Sequence, residues 1–233
     1  MPSSIYKTAL IVGAGSGLSA SLARLLSKAG LQIALAARTP NKLADLAGET
    51  GAKVFACDAS KEDQVAKLFA DVDSVLGTPD VAIYNASFRT RGAFIDLVPA
   101  DVEKALDITT FGAFLMAQAA ARRMLPKKNG AIFFTGASAS VKGYAKSAPF
   151  AMAKFALRGL SQSLARELQP QGIHVAHFVI DGGIRSERRV EAADKPASML
   201  DPDAIAQTYL DVLRQPRSAW STEVELRPWV ENF

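Results

Sequence analysis

Apolar residues recur along this chain in two alternating patterns. Short runs rich in Val, Ile, Ala and Phe occupy residues 8–12, 32–37, 53–56, 81–84, 131–135, 173–180 and 222–226. Each has the length of a buried strand. Between them lie longer segments with apolar residues three and four apart, the period of a helix with one buried face. In residues 18–29 the stripe is Leu18, Leu22, Leu25 and Leu26, and Gly30 follows as a stop. Residues 40–50 read as a short helix closed by Gly51. Ser60, with Asp63 three residues on, reads as the N-cap of a helix through Leu76, ended by Gly77 and Pro79. Residues 99–124 read as one long helix stopped by Pro126, and 150–168 and 202–213 as two more. Residues 181–200 show no clear period. Alternation of this kind predicts a parallel sheet covered on both faces by helices, a three-layer α/β/α arrangement. No linker or repeat divides it, so residues 1–233 are expected to form a single domain.

Composition narrows the picture. The chain has 233 residues, 49% hydrophobic and 21% charged, which places it among globular proteins rather than disordered ones. The net charge of +4 is scattered. Its densest basic cluster, residues 185–189, is interrupted by Glu187, so no nucleic-acid partner is expected. The single Cys57 excludes an intrachain disulfide, and no Cys/His cluster offers a metal site. Residues 111–121 are too short to span a membrane and carry Gln118. The chain enters an apolar strand at Ile5 without a basic, then apolar, then small-residue leader. A cytoplasmic protein is the expectation.

The first turn carries the first chemistry. After the strand at 8–12 the chain reads Gly13-Ala14-Gly15-Ser16-Gly17-Leu18-Ser19. Glycines permit a tight turn and bring backbone N–H groups close to a pyrophosphate, and the following helix adds its positive end. A strict G-x-G-x-x-G pattern fails at Leu18. The spacing Gly13, Gly17, Ser19 fits better, with serine small enough for close helix–strand packing. The second strand ends in Ala36-Ala37-Arg38, with Lys42 nearby, where an NAD site carries an acid for the ribose 2′-hydroxyl. Arginine suits a 2′-phosphate instead. NADP(H) is therefore expected in preference to NAD(H).

These features resemble the short-chain dehydrogenase/reductase family over nearly the whole chain. Asp58, in Cys57-Asp58-Ala59, is similar to the family's acid after the third strand, which contacts adenine. Asn85-Ala86-Ser87 resembles its Asn-Ala-Gly segment. Ile184, after Asp181-Gly182-Gly183, lies where the family's Pro-Gly-x-Ile segment holds the nicotinamide carboxamide, with Asp181 replacing the proline. The resemblance thus implies a Rossmann-type doubly wound fold with a dinucleotide held by Gly13, Gly15, Ser16, Gly17, Leu18, Arg38, Asp58, Ala59, Asn85, Ala86, Ser87 and Ile184.

The resemblance breaks at the catalytic tetrad. Family members use Asn, Ser, Tyr and Lys, the last two as Tyr-x-x-x-Lys on a helix. This chain reads Phe150-Ala151-Met152-Ala153-Lys154. A phenol beside an ammonium can pass a proton to a carbonyl oxygen, and a phenyl ring cannot. The family serine falls at Ala137, with Ser138 beside it, and the asparagine at Thr109. The chain is similar to an atypical subgroup that keeps the lysine and carries Phe for Tyr. Lys154 is expected to bond the nicotinamide ribose. Tyr144 and Ser138 are the candidates to replace the phenol, although a partly exposed loop tyrosine describes Tyr144 better. His174 and His177, three apart in a strand, point to opposite faces and are expected to be structural.

Two readings follow. In the first, the chain is an NADP(H)-dependent oxidoreductase of a small carbonyl or alcohol, with residues 185–200 as a candidate lid over the substrate. In the second, it binds NADP(H) with little chemistry, as a sensor or assembly protein. The resemblance also implies a homodimer or homotetramer, built through the helices at 99–124 and 150–168.

Overall fold

The computed structural model describes residues 6–187 and 189–230, so Ile5 of the first apolar run and Arg188 of the basic cluster lie outside the described residues. The strands are β1 (Thr8–Val12), β2 (Gln32–Ala37), β3 (Lys53–Ala56), β4 (Val81–Tyr84), β5 (Gly130–Thr135), β6 (Ile173–Ile180) and β7 (Glu223–Leu226). The helices are α1 (Leu18–Lys28), α2 (Ala44–Thr50), α3 (Glu62–Leu76), α4 (Pro99–Leu106), α5 (Gly112–Met124), α6 (Ala148–Leu168) and α7 (Pro202–Leu213). The strands form one parallel sheet in the order β3-β2-β1-β4-β5-β6-β7.

Alternation along each strand builds the two cores. Ala9 and Ile11 of β1 face one side, where Leu22, Leu26, Phe133, Phe178 and Tyr209 pack beneath α1 and α7. Leu10 and Val12 face the other, with Phe69, Tyr84, Met116, Phe134 and Leu157 beneath α3, α5 and α6. Because both faces are covered, β1, β4, β5 and β6 are buried at every position, which is why they read as unbroken apolar runs. Each large apolar side chain so buried contributes about 1.5–3 kcal/mol.

The winding order sets the site. The chain runs outward from β1 to β2 and β3, then crosses back to β4 on the other side of β1. Val12 lies opposite both Ala36 and Tyr84, so the carboxyl ends of β1, β2 and β4 are nearly flush. The crevice outside these ends, where the winding reverses, is the expected ligand position in open α/β sheets.

Two elements differ from the sequence reading. The long helix at 99–124 is divided into α4 and α5 by a π-helical turn at Asp107–Phe111. Local bonds hold this turn: the Tyr84 hydroxyl donates to the Ile108 carbonyl, and Thr110 Oγ1 to the Ala153 carbonyl at 2.9 Å. At Gly112 a side chain would collide with the Tyr84 hydroxyl and the Ala59 carbonyl, so only glycine lets the two halves rejoin here. Such bulges cluster at functional sites. Ser60 is not the N-cap of α3. Its N–H and hydroxyl both donate to Asp58 Oδ1, and the helix starts at Glu62 behind Lys61. Among the described residues no helix is long and apolar enough to cross a membrane, and no cluster of His, Cys, Asp or Glu forms a metal site.

Candidate active site

The turn after β1 is fixed from behind and open in front. Gly13, at φ +86°, and Ala14 both donate their N–H to the Ala36 carbonyl at 3.0 Å, which clamps the turn onto β2. A Cβ on Gly13 would stand 2.3 Å from the Ala86 nitrogen, so this glycine lets two strand ends touch. Gly15 and Gly17 differ, for nothing lies within 4 Å of where their Cβ would be. Gly17 opens α1 without a side-chain cap or first-turn acid, leaving the helix N–H groups and its positive end for a ligand. Ser19 joins the parts: its hydroxyl donates to the Gly13 carbonyl at 3.2 Å and accepts from Asn85 Nδ2 at 2.6 Å.

A cleft of about 780 Å³ lies in front of this turn. Gly13, Gly15, Ser16, Gly17, Arg38, Asp58, Ala59, Asn85, Ala86 and Ser87 all line it. Lys42 adds a second cation near Arg38. Arg38 is exposed and makes no ion pair among the described residues. Asp58 turns one oxygen to Ser60. Burial pushes its pKa up, but the Ser60 bonds, with Arg38 and Lys61, outweigh that and hold it below the usual carboxylate value. Residues 185–187 and 201–203 close the cleft from above, pinned by an Arg185–Asp201 pair at 2.8 Å.

Two expected cofactor residues fall elsewhere. Leu18 is only 5% exposed and packs into the core, because it lies on the inward stripe of α1, and it does not line the cleft. Ile184 forms a parallel bridge to Leu200 and packs against the core beneath α7 rather than lining the cleft. The segment that follows it is irregular but tied down. Arg185 N–H donates to the Leu200 carbonyl, Leu200 N–H to the Gly183 carbonyl, and Glu191 accepts from the N–H groups of Ala197 and Met199.

The three expected catalytic groups have different surroundings. Lys154, 3% exposed, donates to the Thr135 carbonyl at 2.6 Å, and its ammonium lies 5.8 Å from the centre of the Phe150 ring. Burial, with no acid beside it, pulls its pKa down to about 8. Ser138 follows β5 near the buried Asp181, which pairs with Lys142 at 3.1 Å and Arg227 at 3.3 Å. Burial raises the Asp181 pKa, but these partners win and hold it low. Tyr144 is 46% exposed in the loop before α6, and its hydroxyl takes part in no hydrogen bond among the described residues. Thr109, in the π-helical turn, is buried and accepts from the Phe88 N–H at 3.3 Å.

The histidines do face opposite sides. His174 stacks on Trp220 at 4.7 Å and bonds the Ser221 carbonyl. His177 bridges Ser140 (Nε2, 3.3 Å) and Glu223 (Nδ1, 3.2 Å), and Glu223 takes a two-pronged bond from Arg158. This Ser-His-Glu order has the spacing of a nucleophilic triad, yet Ser140 is 0% and His177 1% exposed, so no substrate reaches it. Ser140 instead accepts from Ala137 N–H, so the network positions the loop after β5.

Sequence reasoning missed the π-helical turn, the Asp181 cluster and two arginines, Arg89 and Arg189. Arg89 lies 4.8 Å over the Phe150 ring, and the Arg189 side chain lies against Gly183. The only signal was their place in the loops that follow β4 and β6.

The family profile of short chain dehydrogenase matches residues 7–196. The chain belongs to the short-chain dehydrogenase/reductase family. An uncharacterised oxidoreductase of Staphylococcus aureus (strain N315) is 27% identical over 227 residues, 95% of this chain and 97% of the relative. The crystal structure of a short-chain dehydrogenase from Rhodopseudomonas palustris is 33% identical, with a TM-score of 0.83 over 96% of this chain and 99% of that one. A metagenomic short-chain oxidoreductase, solved in complex with NADP, is 27% identical, with a TM-score of 0.82 over 96% and 98% of the two chains.

Proposed function

We propose that this short-chain dehydrogenase is an NADP(H)-dependent oxidoreductase of a small carbonyl compound or alcohol, working without the family's phenol. The observation that carries the reading is the cleft: an open glycine turn, an uncapped helix N-terminus and an unpaired Arg38 share one wall. The volume suits a dinucleotide-sized ligand. The turn N–H groups would hold the pyrophosphate, Arg38 and Lys42 the 2′-phosphate, and Asp58 the adenine end. The metagenomic relative solved with NADP supports the choice of cofactor. When bound, the nicotinamide supplies or accepts the hydride.

This chain's own residues then orient and move protons. Lys154 sits one bond from the end of β5, and its lowered pKa makes its ammonium a readier proton donor than a free lysine. Ser138, beside Asp181 at the end of β5, and Tyr144, on the exposed loop before α6, are the hydroxyls that would relay a proton. Residues 185–200 act as the lid of one domain spanning the whole chain.

The second reading, a weakly active NADP(H)-binding sensor or assembly protein, is favoured by one observation. Lys154 already has a partner in the Thr135 carbonyl, and position 150 carries no proton. A panel of aldehydes and ketones with NADPH separates the two. The oxidoreductase reading predicts slow turnover that Phe150→Tyr raises by about 10²-fold or more, the usual worth of a general acid. No turnover in either protein, with cofactor bound, moves the chain to the second reading.

A further inference from the structure

Two of the segments lining the cleft run on into unpaired cations. Ser87 lines the cleft, and two residues later comes Arg89. Glu187 lines it, and two residues later comes Arg189. In the sheet, β4 and β6 flank β5, so the loops after their carboxyl ends leave the same edge of the sheet on either side of the loop that leads into α6. There the Arg89 guanidinium lies 4.8 Å over the Phe150 ring. The Arg189 side chain crosses Gly183, with Nη1 3.8 Å from where a Cβ would stand. Arg91 is on the same loop as Arg89, and the next residue, Gly92, donates its N–H to the Lys146 carbonyl, tying that loop to the approach to α6.

None of these three exposed arginines forms a salt bridge among the described residues, whereas Arg185, Lys142 and Arg227 are all paired. Burial, and then the charges of Arg91 and Arg189, hold the Arg89 pKa below its usual value. Like charges gathered without a counter-ion repel, and an anion entering among them removes that penalty. Guanidinium groups also match the two oxygens of a carboxylate or phosphate.

We propose that Arg89 and Arg189, backed by Arg91, form an oxyanion subsite beside Phe150, so that the substrate is a carbonyl compound or alcohol bearing a carboxylate or phosphate. The ring of Phe150 presents its face to Arg89, a cation–π contact that helps to hold the guanidinium in place. The proposal rests on the dinucleotide reading above only for which end of the substrate reacts; the anion preference stands or falls on the arginines.

The test uses 4-formylbenzoate, its methyl ester and 4-formylphenyl phosphate as probes. Each is titrated calorimetrically into the full chain, with and without NADPH. Wild type, Arg89→Gln and Arg189→Gln are compared, with melting temperatures as a fold check. Wild type is expected to bind the acid about tenfold more tightly than the ester, the worth of one charge-assisted bond. Each variant is expected to lose about fivefold on the acid while ester and NADPH affinities hold. The tighter of acid and phosphate identifies the natural anion. Equal affinity for acid and ester overturns the proposal, as do variants that bind the acid like wild type. A fall in NADPH affinity in the variants also overturns it, by assigning the arginines to the dinucleotide. If NADPH fails to bind while the acid preference persists, the cofactor reading falls and the subsite stands.

Discussion

The three glycines of the first turn look alike in sequence and do different work. Gly13 is structural: its φ is +86° and a Cβ would press into the Ala86 backbone. At Gly15 and Gly17 nothing lies within 4 Å of where a Cβ would stand, and both line the cleft. Gly13→Ala is therefore expected to destabilise the chain by about 2 kcal/mol or more, from strain and overpacking. Gly15→Ala and Gly17→Ala should melt within about one degree of wild type, since nothing in the fold is displaced. Yet each should lose NADPH affinity by about tenfold or more, because the methyl group fills the cradle. Melting curves and cofactor titrations together check this. The sequence marked all three as one motif and could not sort them, because the difference lies in Ala86, more than seventy residues away. Arg38 was legible, since its place at the end of a strand is set by local pattern. The core position of the Leu18 side chain follows from its place on the apolar stripe of α1, which the turn motif alone does not show.

Elements were legible wherever one period ruled. The strands at 8–12, 32–37, 81–84 and 173–180 form at the expected residues, because burial on both faces leaves only apolar choices. The division between α4 and α5 was hidden, because a π-helical turn adds a residue without adding a breaker. It depends on Tyr84, from a different strand. The His177 network was hidden for the same reason, and it sets a pH limit on the β6–β7 edge. Burial lowers the His177 pKa to about 4 from 6.5. Between those values the unfolded chain binds the proton and the native chain does not. Stability therefore falls as pH drops from about 6.5 toward 4, by about 3 kcal/mol from this group. Glu223 and Asp181, held below ordinary carboxylate values, add losses at the lower end. Denaturant titrations at pH 7 and 4.5 should show a loss in wild type exceeding that in His177→Gln by about 2 kcal/mol. Equal losses would remove His177 as the cause.

At the scale of the whole molecule, the sheet brings the ends of β1, β2, β3 and β4 to one cleft and those of β4 and β6 to the arginines beside it. Sequence pattern carries the first, since glycine turns and strand ends repeat in order. It does not carry the second, which depends on the irregular residues 181–200 folding back. The outward faces of α5 and α6, with the preceding turn, expose Phe111, Phe114, Met152 and Phe155. A homodimer or homotetramer joined there, as the family resemblance implies, would cover them, so light scattering should give a mass of two or four chains, and a monomeric mass would defeat that expectation. The central claim is that the cleft holds NADP(H). Titration of the purified chain with NADPH and with NADH, followed by fluorescence, tests it most directly. The account predicts NADPH bound at least about tenfold more tightly, with Arg38→Asp abolishing the difference. Failure of both cofactors to bind, or an NADH preference in wild type, would contradict it.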